Sequence, residues 1–145
     1  MNSITIDLPV VRERSPEVNA AIERFGELAF AAVDPAMLEL VRIRIAMLLG
    51  NQEQQAGRAA ASPVAEEKIR NLPLWPKSPL FSDAERACLD YAEQFVIDAT
   101  GMKDAQIQAL SAHFTTPEIF AFAHAVYILD GYQRTQMVFG AVLQA

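Results

Sequence analysis

Glu39 and Arg58 lie on either side of a glycine and could meet. They bracket the stretch LLGNQEQQAGR, Leu48 to Arg58, which packs five polar residues, Asn51 to Gln55, between strongly patterned neighbours. Gly50 reads as a helix stop, because glycine readily takes the left-handed conformation that ends many helices. If the chain doubles back there, Glu39 lies eleven residues before the turn and Arg58 eight after it. At 1.5 Å per residue both then sit about 12–17 Å along antiparallel helices. The expectation is a salt bridge between them, in or beside a pocket. A carboxylate facing an arginine between packed helices is either a structural ion pair or the polar end of a ligand site, since a buried charge calls for a partner in both cases. Asn51 and Gln54 could supply hydrogen bonds to such a ligand.

The other reactive residue types are few. Cys88 is the one cysteine and falls on the apolar stripe of its helix, so it reads first as a core residue. His113 and His124 are the two histidines, and neither has a set of ligand types at metal-binding spacing, so no metal site is expected. His124 sits in an apolar run. It is either a hydrogen-bonded core or interface histidine or a ligand-binding residue. Arg42 and Arg44 read as solvated or paired on the outer face. Asp130 and Arg134 have the i, i+4 spacing of a helix-surface or interface pair.

The elements that must carry these residues are helical. Ser15-Pro16, Asp34-Pro35, Ser62-Pro63 and Thr116-Pro117 each look like a capping residue followed by proline at the first helical position. Ser82 and Glu85 form a capping-box pattern ahead of a helix that stops at Thr100-Gly101. Its apolar residues Ala84, Ala87, Cys88, Tyr91, Ala92, Phe95 and Val96 follow the spacing of one buried stripe. Lys103 to Phe114 reads as a short helix. Period-two alternation occurs only in SITIDL, within residues 1–14, which reads as an extended arm. NLPLWPKSPLF, with three prolines and Trp75, reads as an ordered connector with the tryptophan plugged into the core. The fold class is therefore all-α: a single-domain bundle of six or seven helices over residues 15–145, with a proline-rich connector. The last helix is apolar on most of its circumference, with Phe120, Phe122, Val126, Tyr127 and Leu129 among its residues, which implies burial between subunits of a homo-oligomer.

Composition narrows the function classes. The 145 residues suit one domain, 52% are apolar, and the formal net charge is −6 with basic residues scattered. Nucleic acid and anionic membrane surfaces want clustered Lys and Arg, so neither is an expected partner. The longest uncharged apolar run, Ile119 to Leu129, is too short to span a bilayer. No secretory leader is legible in the first residues, and one cysteine allows no disulfide within the chain. Both fit a cytoplasmic protein.

Several of these segments together resemble the carboxymuconolactone decarboxylase-like superfamily, in its alkylhydroperoxidase D-related branch, from about Phe25 to Gly140. MLELVRIRIAMLLG is similar to the helix leading into that family's active site. IRNLPLWPKSPLFSDAERACLDYAEQF is similar to its connector and following helix, with Trp75, Ser78, Phe81, Ser82, Glu85, Arg86 and Ala87 in place. TTPEIFAFAHAVYILDGYQRTQMVFG resembles the terminal helix, although the family usually has asparagines where this chain has Asp130 and Gln133. The resemblance implies an alkylhydroperoxidase D-like bundle and a trimer or hexamer. The family's redox motif is two cysteines three apart, a histidine four residues on, and a glutamate twelve residues before the first cysteine. Laid on this chain, the glutamate is Glu39, the cysteines fall on Asn51 and Gln54, and the histidine falls on Arg58.

Thiol peroxidase chemistry needs a thiolate and a resolving sulfur, which Asn and Gln cannot provide. Arg58 stays charged and cannot shuttle a proton, and a Glu39 facing it would have a lowered pKa. The resemblance therefore implies a cysteine-less member without redox cofactors. In the leading reading it is a non-redox enzyme for a small, carboxylate-bearing organic molecule. Glu39 and Arg58 would be catalytic, and Asn51, Gln54 and His124 would bind ligand, with Arg58 holding the carboxylate. The alternatives are a non-catalytic ligand-binding or structural paralogue, with Glu39 and Arg58 as a buried strut, and residual peroxidase activity through Cys88.

Overall fold

The computed structural model describes residues 15–59 and 62–139 and holds seven α-helices and two short 3-10 turns, with no strand among the described residues. The expected N-terminal arm, residues 1–14, lies outside the described residues.

Helix α1, Pro16–Ala31, starts after Ser15 with proline at its head, but the Ser15 side chain makes no capping hydrogen bond. Helix α2, Pro35–Leu49, is capped by Asp34, whose carboxylate accepts from the Met37 amide at 3.1 Å. It ends at Gly50, which takes the left-handed conformation with φ 72°. Helix α3, Gln52–Ala56, is one short turn started by Asn51, whose side chain accepts from the Gln54 amide. The start expected at Ser62-Pro63 falls later: α4 spans Glu66–Arg70 with Ala65 in the capping position. A serine before proline is a local preference only, and the next helical turn forms where Ile69 can be buried, at 3% exposure.

The connector winds through a 3-10 turn, Leu72–Leu74, and buries Leu72, Trp75 and Phe81. Helix α5, Asp83–Asp98, carries the capping box: Glu85 N–H donates to Ser82 Oγ, and Ser82 N–H to Glu85 Oε1, both at 3.1 Å. A 3-10 turn, Ala99–Gly101, leads to α6, Asp104–Ser111, and then to α7, Thr116–Phe139, 24 residues long.

Helix α2 is the centre. Met37, Glu39, Leu40, Val41, Ile43, Ile45 and Ala46 are buried all round it, against α5 on one side and α7 and α3 on others. A helix apolar on every side can be satisfied only in such a position. Helix α5 adds Ala87, Cys88, Leu89 and Ala92 to the core, α6 packs on α5, and α1 packs on α7. The inner face of α7 is Phe122, Ala125, Val126, Gln133 and Gln136, with Leu129 half-buried among them. These residues follow helical spacing, and the face changes along its length from apolar to amide. The change sets the place of the polar cluster described next. No described helix is long and apolar enough to cross a membrane.

Candidate functional site

Glu39 is buried, with 4% of its surface exposed, and its partner is Arg42 rather than Arg58. Arg42 Nε donates to Glu39 Oε2 at 3.1 Å and Arg42 Nη2 to Glu39 Oε1 at 3.0 Å, the bidentate fork that suits a carboxylate. The rest of the guanidinium points into the turn. Nη1 donates to the Gln54 carbonyl at 2.7 Å and to Gln54 Oε1 at 3.0 Å, and Nη2 to the Gly57 carbonyl at 2.8 Å. An arginine has five N–H donors, and these five bonds use them all. The Ala59 amide adds one more hydrogen bond to Glu39 Oε1, at 3.1 Å. Burial by itself would push the Glu39 carboxyl up. Hydrogen bonds from Arg42 and the Ala59 amide, with the charges of Arg42 and Arg58, outweigh it and hold the pKa below its ordinary value of 4.5.

Amides form a second layer. Asn51 Nδ2 donates to Gln136 Oε1 at 3.0 Å, and Gln136 Nε2 reaches Glu53 Oε2 at 3.4 Å. Gln133 Nε2 donates to the Arg42 carbonyl at 3.0 Å. Gln133 is 1% exposed, and its Oε1 has no hydrogen-bond partner among the described residues.

The expected contact between Glu39 and Arg58 is therefore not made. The chain does reverse at Gly50, and it brings the Ala59 amide onto Glu39. But the segment after α3 is extended, so Arg58 swings outward to Glu66. Arg58 Nε and Nη2 donate to Glu66 Oε1 and Oε2 at 2.7 and 3.2 Å. Nη1 meets the carbonyls of Gln55 and Gly57. The Arg58 side chain is 28% exposed and that of Glu66 59%. Arg58 thus acts on Glu39 through its charge only. Arg42 and Arg44 are paired, one of the two expected states, but neither lies on the outer face. Arg42 closes the turn. Arg44 pairs with Glu93 at 3.2 Å, which also takes the Trp75 Nε1 hydrogen bond and so fixes the connector.

Asn51 and Gln54 do sit beside Glu39's partner, as hydrogen-bonding members of the same cluster. His124 does not. Its Nδ1 bonds the Phe120 carbonyl at 2.8 Å, so that nitrogen carries the proton, and its ring packs 4.3 Å from Phe120 and 5.8 Å from Phe25. Twelve residues separate it from Gln136, about 18 Å along α7. Cys88 is 1% exposed, and burial, with the Glu85 charge, pushes its thiol up to about 12. Asp130 and Arg134 make the expected pair at 2.8 Å. Arg42, Gln133 and Gln136 escaped the sequence reading. The signals were the i, i+3 spacing of Glu39 and Arg42, and the continuation of the α7 stripe past Leu129.

No family model matches the chain. Over 85 residues, 57% of its length, it is 33% identical to the uncharacterized protein YnjA of Escherichia coli K12, and the match spans 47% of that relative, about half its length. In three dimensions the chain is similar to an Agrobacterium tumefaciens protein of unknown function, ATU0492, provisionally described as an antioxidant defence protein AhpD. The TM-score is 0.76 over 99% of both chains, at 20% identity. At that identity the likeness speaks to architecture, and the seven helices make an AhpD-like all-α fold.

Proposed function

We propose that this chain is a thiol-independent, homo-oligomeric protein that binds a small organic molecule, and that Glu39 frames the 51–59 turn instead of serving as an acid or base. One observation carries the framing role of Glu39: every N–H of Arg42 is engaged, two of them by Glu39. A general acid or base must be free to exchange its proton near neutrality. Glu39 is held ionised by a partner that has no donor to spare. Asn51 and Gln54 are likewise taken up in the cluster, and neither bears sulfur. The only thiol, Cys88, is buried with a pKa near 12, the reverse of a reactive cysteine. The decisive assay is dithiol-dependent turnover of an organic hydroperoxide, with Cys88→Ser protein as control. No rate above the control is expected, and a rate that requires Cys88 would refute the proposal.

A second reading keeps a carboxylate-handling enzyme at Arg58. The observation in its favour is Glu66, whose carboxylate fills the Arg58 fork in bidentate fashion. A ligand carboxylate could take that place, because exposed ion pairs are weak. In this reading Glu66→Gln raises affinity for a small carboxylate such as benzoate, and Arg58→Ala abolishes it.

The assembly is proposed on exposed apolar surface. Val18, Ile22 and Leu28 of α1 and Phe120, Tyr127 and Val138 of the adjoining α7 are each more than half exposed in the single chain. Such a surface suits a subunit contact, with a trimer or hexamer as the expected state. Residues 15–145 would form one domain of a cytoplasmic protein.

A further inference from the structure

Beneath the N-terminal end of α2 lies a cavity of about 160 Å³. Its floor is Met37, Cys88, Leu110 and Phe122, all buried, and Phe114 and Ile119 form half-buried walls. Two exposed carboxylates, Asp34 and Glu118, stand at its mouth. Met37 and Glu39 differ by two residues, about 200° around a helix of 3.6 residues per turn. The cavity and the Glu39–Arg42 cluster therefore lie on opposite faces of α2.

Size and charge select an occupant. Apolar cavities of about 150 Å³ take up benzene-sized molecules. Each mouth carboxylate spends one oxygen on a helix start. Asp34 Oδ1 accepts from the Met37 amide, and Glu118 Oε2 accepts from the Thr115 amide and hydroxyl at 2.7 and 3.0 Å. Asp34 Oδ2 and Glu118 Oε1 accept no hydrogen bond from the described residues, and no Lys or Arg lines the cavity. Two helix N-termini offset roughly half a charge each. About one negative charge then remains at the mouth of an aromatic-walled cavity.

We infer that this cavity binds a small amine with an apolar body, of about benzylamine size, with the ring inside and the ammonium at Asp34 and Glu118. The inference deepens the binding reading above and rests on it only in supposing that the chain binds its ligand. Cys88 then serves as apolar floor and takes no part in covalent chemistry.

The test is a titration of the intact protein with benzylamine, toluene and benzoate at pH 7, followed by backbone amide NMR shifts. Benzylamine should give saturable shifts centred on Cys88, Leu110 and Phe122, with toluene and benzoate each weaker by about tenfold or more. The double variant Asp34→Asn, Glu118→Gln keeps an oxygen for each helix cap and removes both charges. It should lower benzylamine affinity to that of toluene. Cys88→Leu, which fills the floor, should abolish binding of both; if that variant does not fold, the charge-neutral double variant decides alone. Benzylamine shifts absent from the cavity, benzoate or toluene binding as tightly, or undiminished benzylamine binding by the double variant would each overturn the assignment. None of these results touches the Glu39–Arg42 frame, which stability measurements decide.

Discussion

Glu39→Ala should be the most damaging single substitution in the polar cluster. The carboxylate takes two of the five Arg42 donors and the Ala59 amide. Its removal leaves a guanidinium 18% exposed, still bonded to Gln54 and Gly57, with two donors facing a void. Breaking a buried pair from one side costs about 3–5 kcal/mol, because the remaining charge is stranded. The three surviving Arg42 bonds argue for the lower end, about 3 kcal/mol. For a chain of this size that is a fall in Tm of about 10 °C. Urea unfolding should show a lower midpoint with an unchanged slope. Glu39→Leu with Arg42→Met should recover much of the loss, since no charge is left buried and the Gln54 and Gly57 carbonyls lie near water. The pH dependence has a definite sign. Glu39 has its folded pKa below 4.5, so the unfolded chain binds the proton more readily. Its stabilisation is present above about pH 4.5 and is lost as pH falls through the folded value. Glu39→Gln should therefore flatten the acid limb of the stability profile. A loss below about 1 kcal/mol for Glu39→Ala, or a double variant no better than the sum of the singles, would refute the frame.

Cys88, with its thiol near 12, has roughly one thiolate in ten thousand at pH 8. It should resist iodoacetamide in the native protein and react promptly in urea; fast native labelling would contradict its burial. Because that pKa is raised from 9.0, the stability tied to Cys88 is full below pH 9 and declines as pH rises towards 12, a decline that Cys88→Ala should lessen. Light scattering at micromolar concentration should give a trimer or hexamer, and Tyr127→Glu should shift it to smaller species; a monodisperse wild-type monomer would end the interface proposal. Gly50→Ala meets no atom within 4 Å of the added Cβ, so its cost is the left-handed backbone alone, about 1–2 kcal/mol by thermal melt.

Helix existence was legible because local signals and burial agreed. Asp34-Pro35, Gly50 and the Ser82–Glu85 box each mark a boundary that the fold uses. Ser62-Pro63 failed because capping preference is worth about 1 kcal/mol and packing of Ile69 and the connector outweighs it. The site was half legible. Gly50 turns the chain, as the spacing implied, but what it returns to Glu39 is the Ala59 amide and not the Arg58 side chain. The expected partner requires the second arm to stay helical as far as Arg58. Helix α3 lasts five residues, and the extended chain beyond it carries Arg58 away. Nothing in the sequence of α2 alone tells an inward Arg42 from an outward one. The side of α2 it occupies is set by α3 and α7, whose packing no local pattern of α2 contains.

The planar guanidinium of Arg42 gives the short polar turn an unusual dynamic character. Exposed turns ordinarily fray residue by residue, with each amide exchanging its hydrogen at its own pace. Here Gln54, Gly57 and Glu39 bond to one rigid group, and Glu39 in turn holds the Ala59 amide. Each contact that leaves removes support from the same side chain, and loss of Glu39 strands its charge. The segment from Asn51 to Ala59 is therefore expected to open as one cooperative unit with the middle of α2. Its amides should exchange together, at a rate set by the helix they are pinned to rather than by their exposure to solvent.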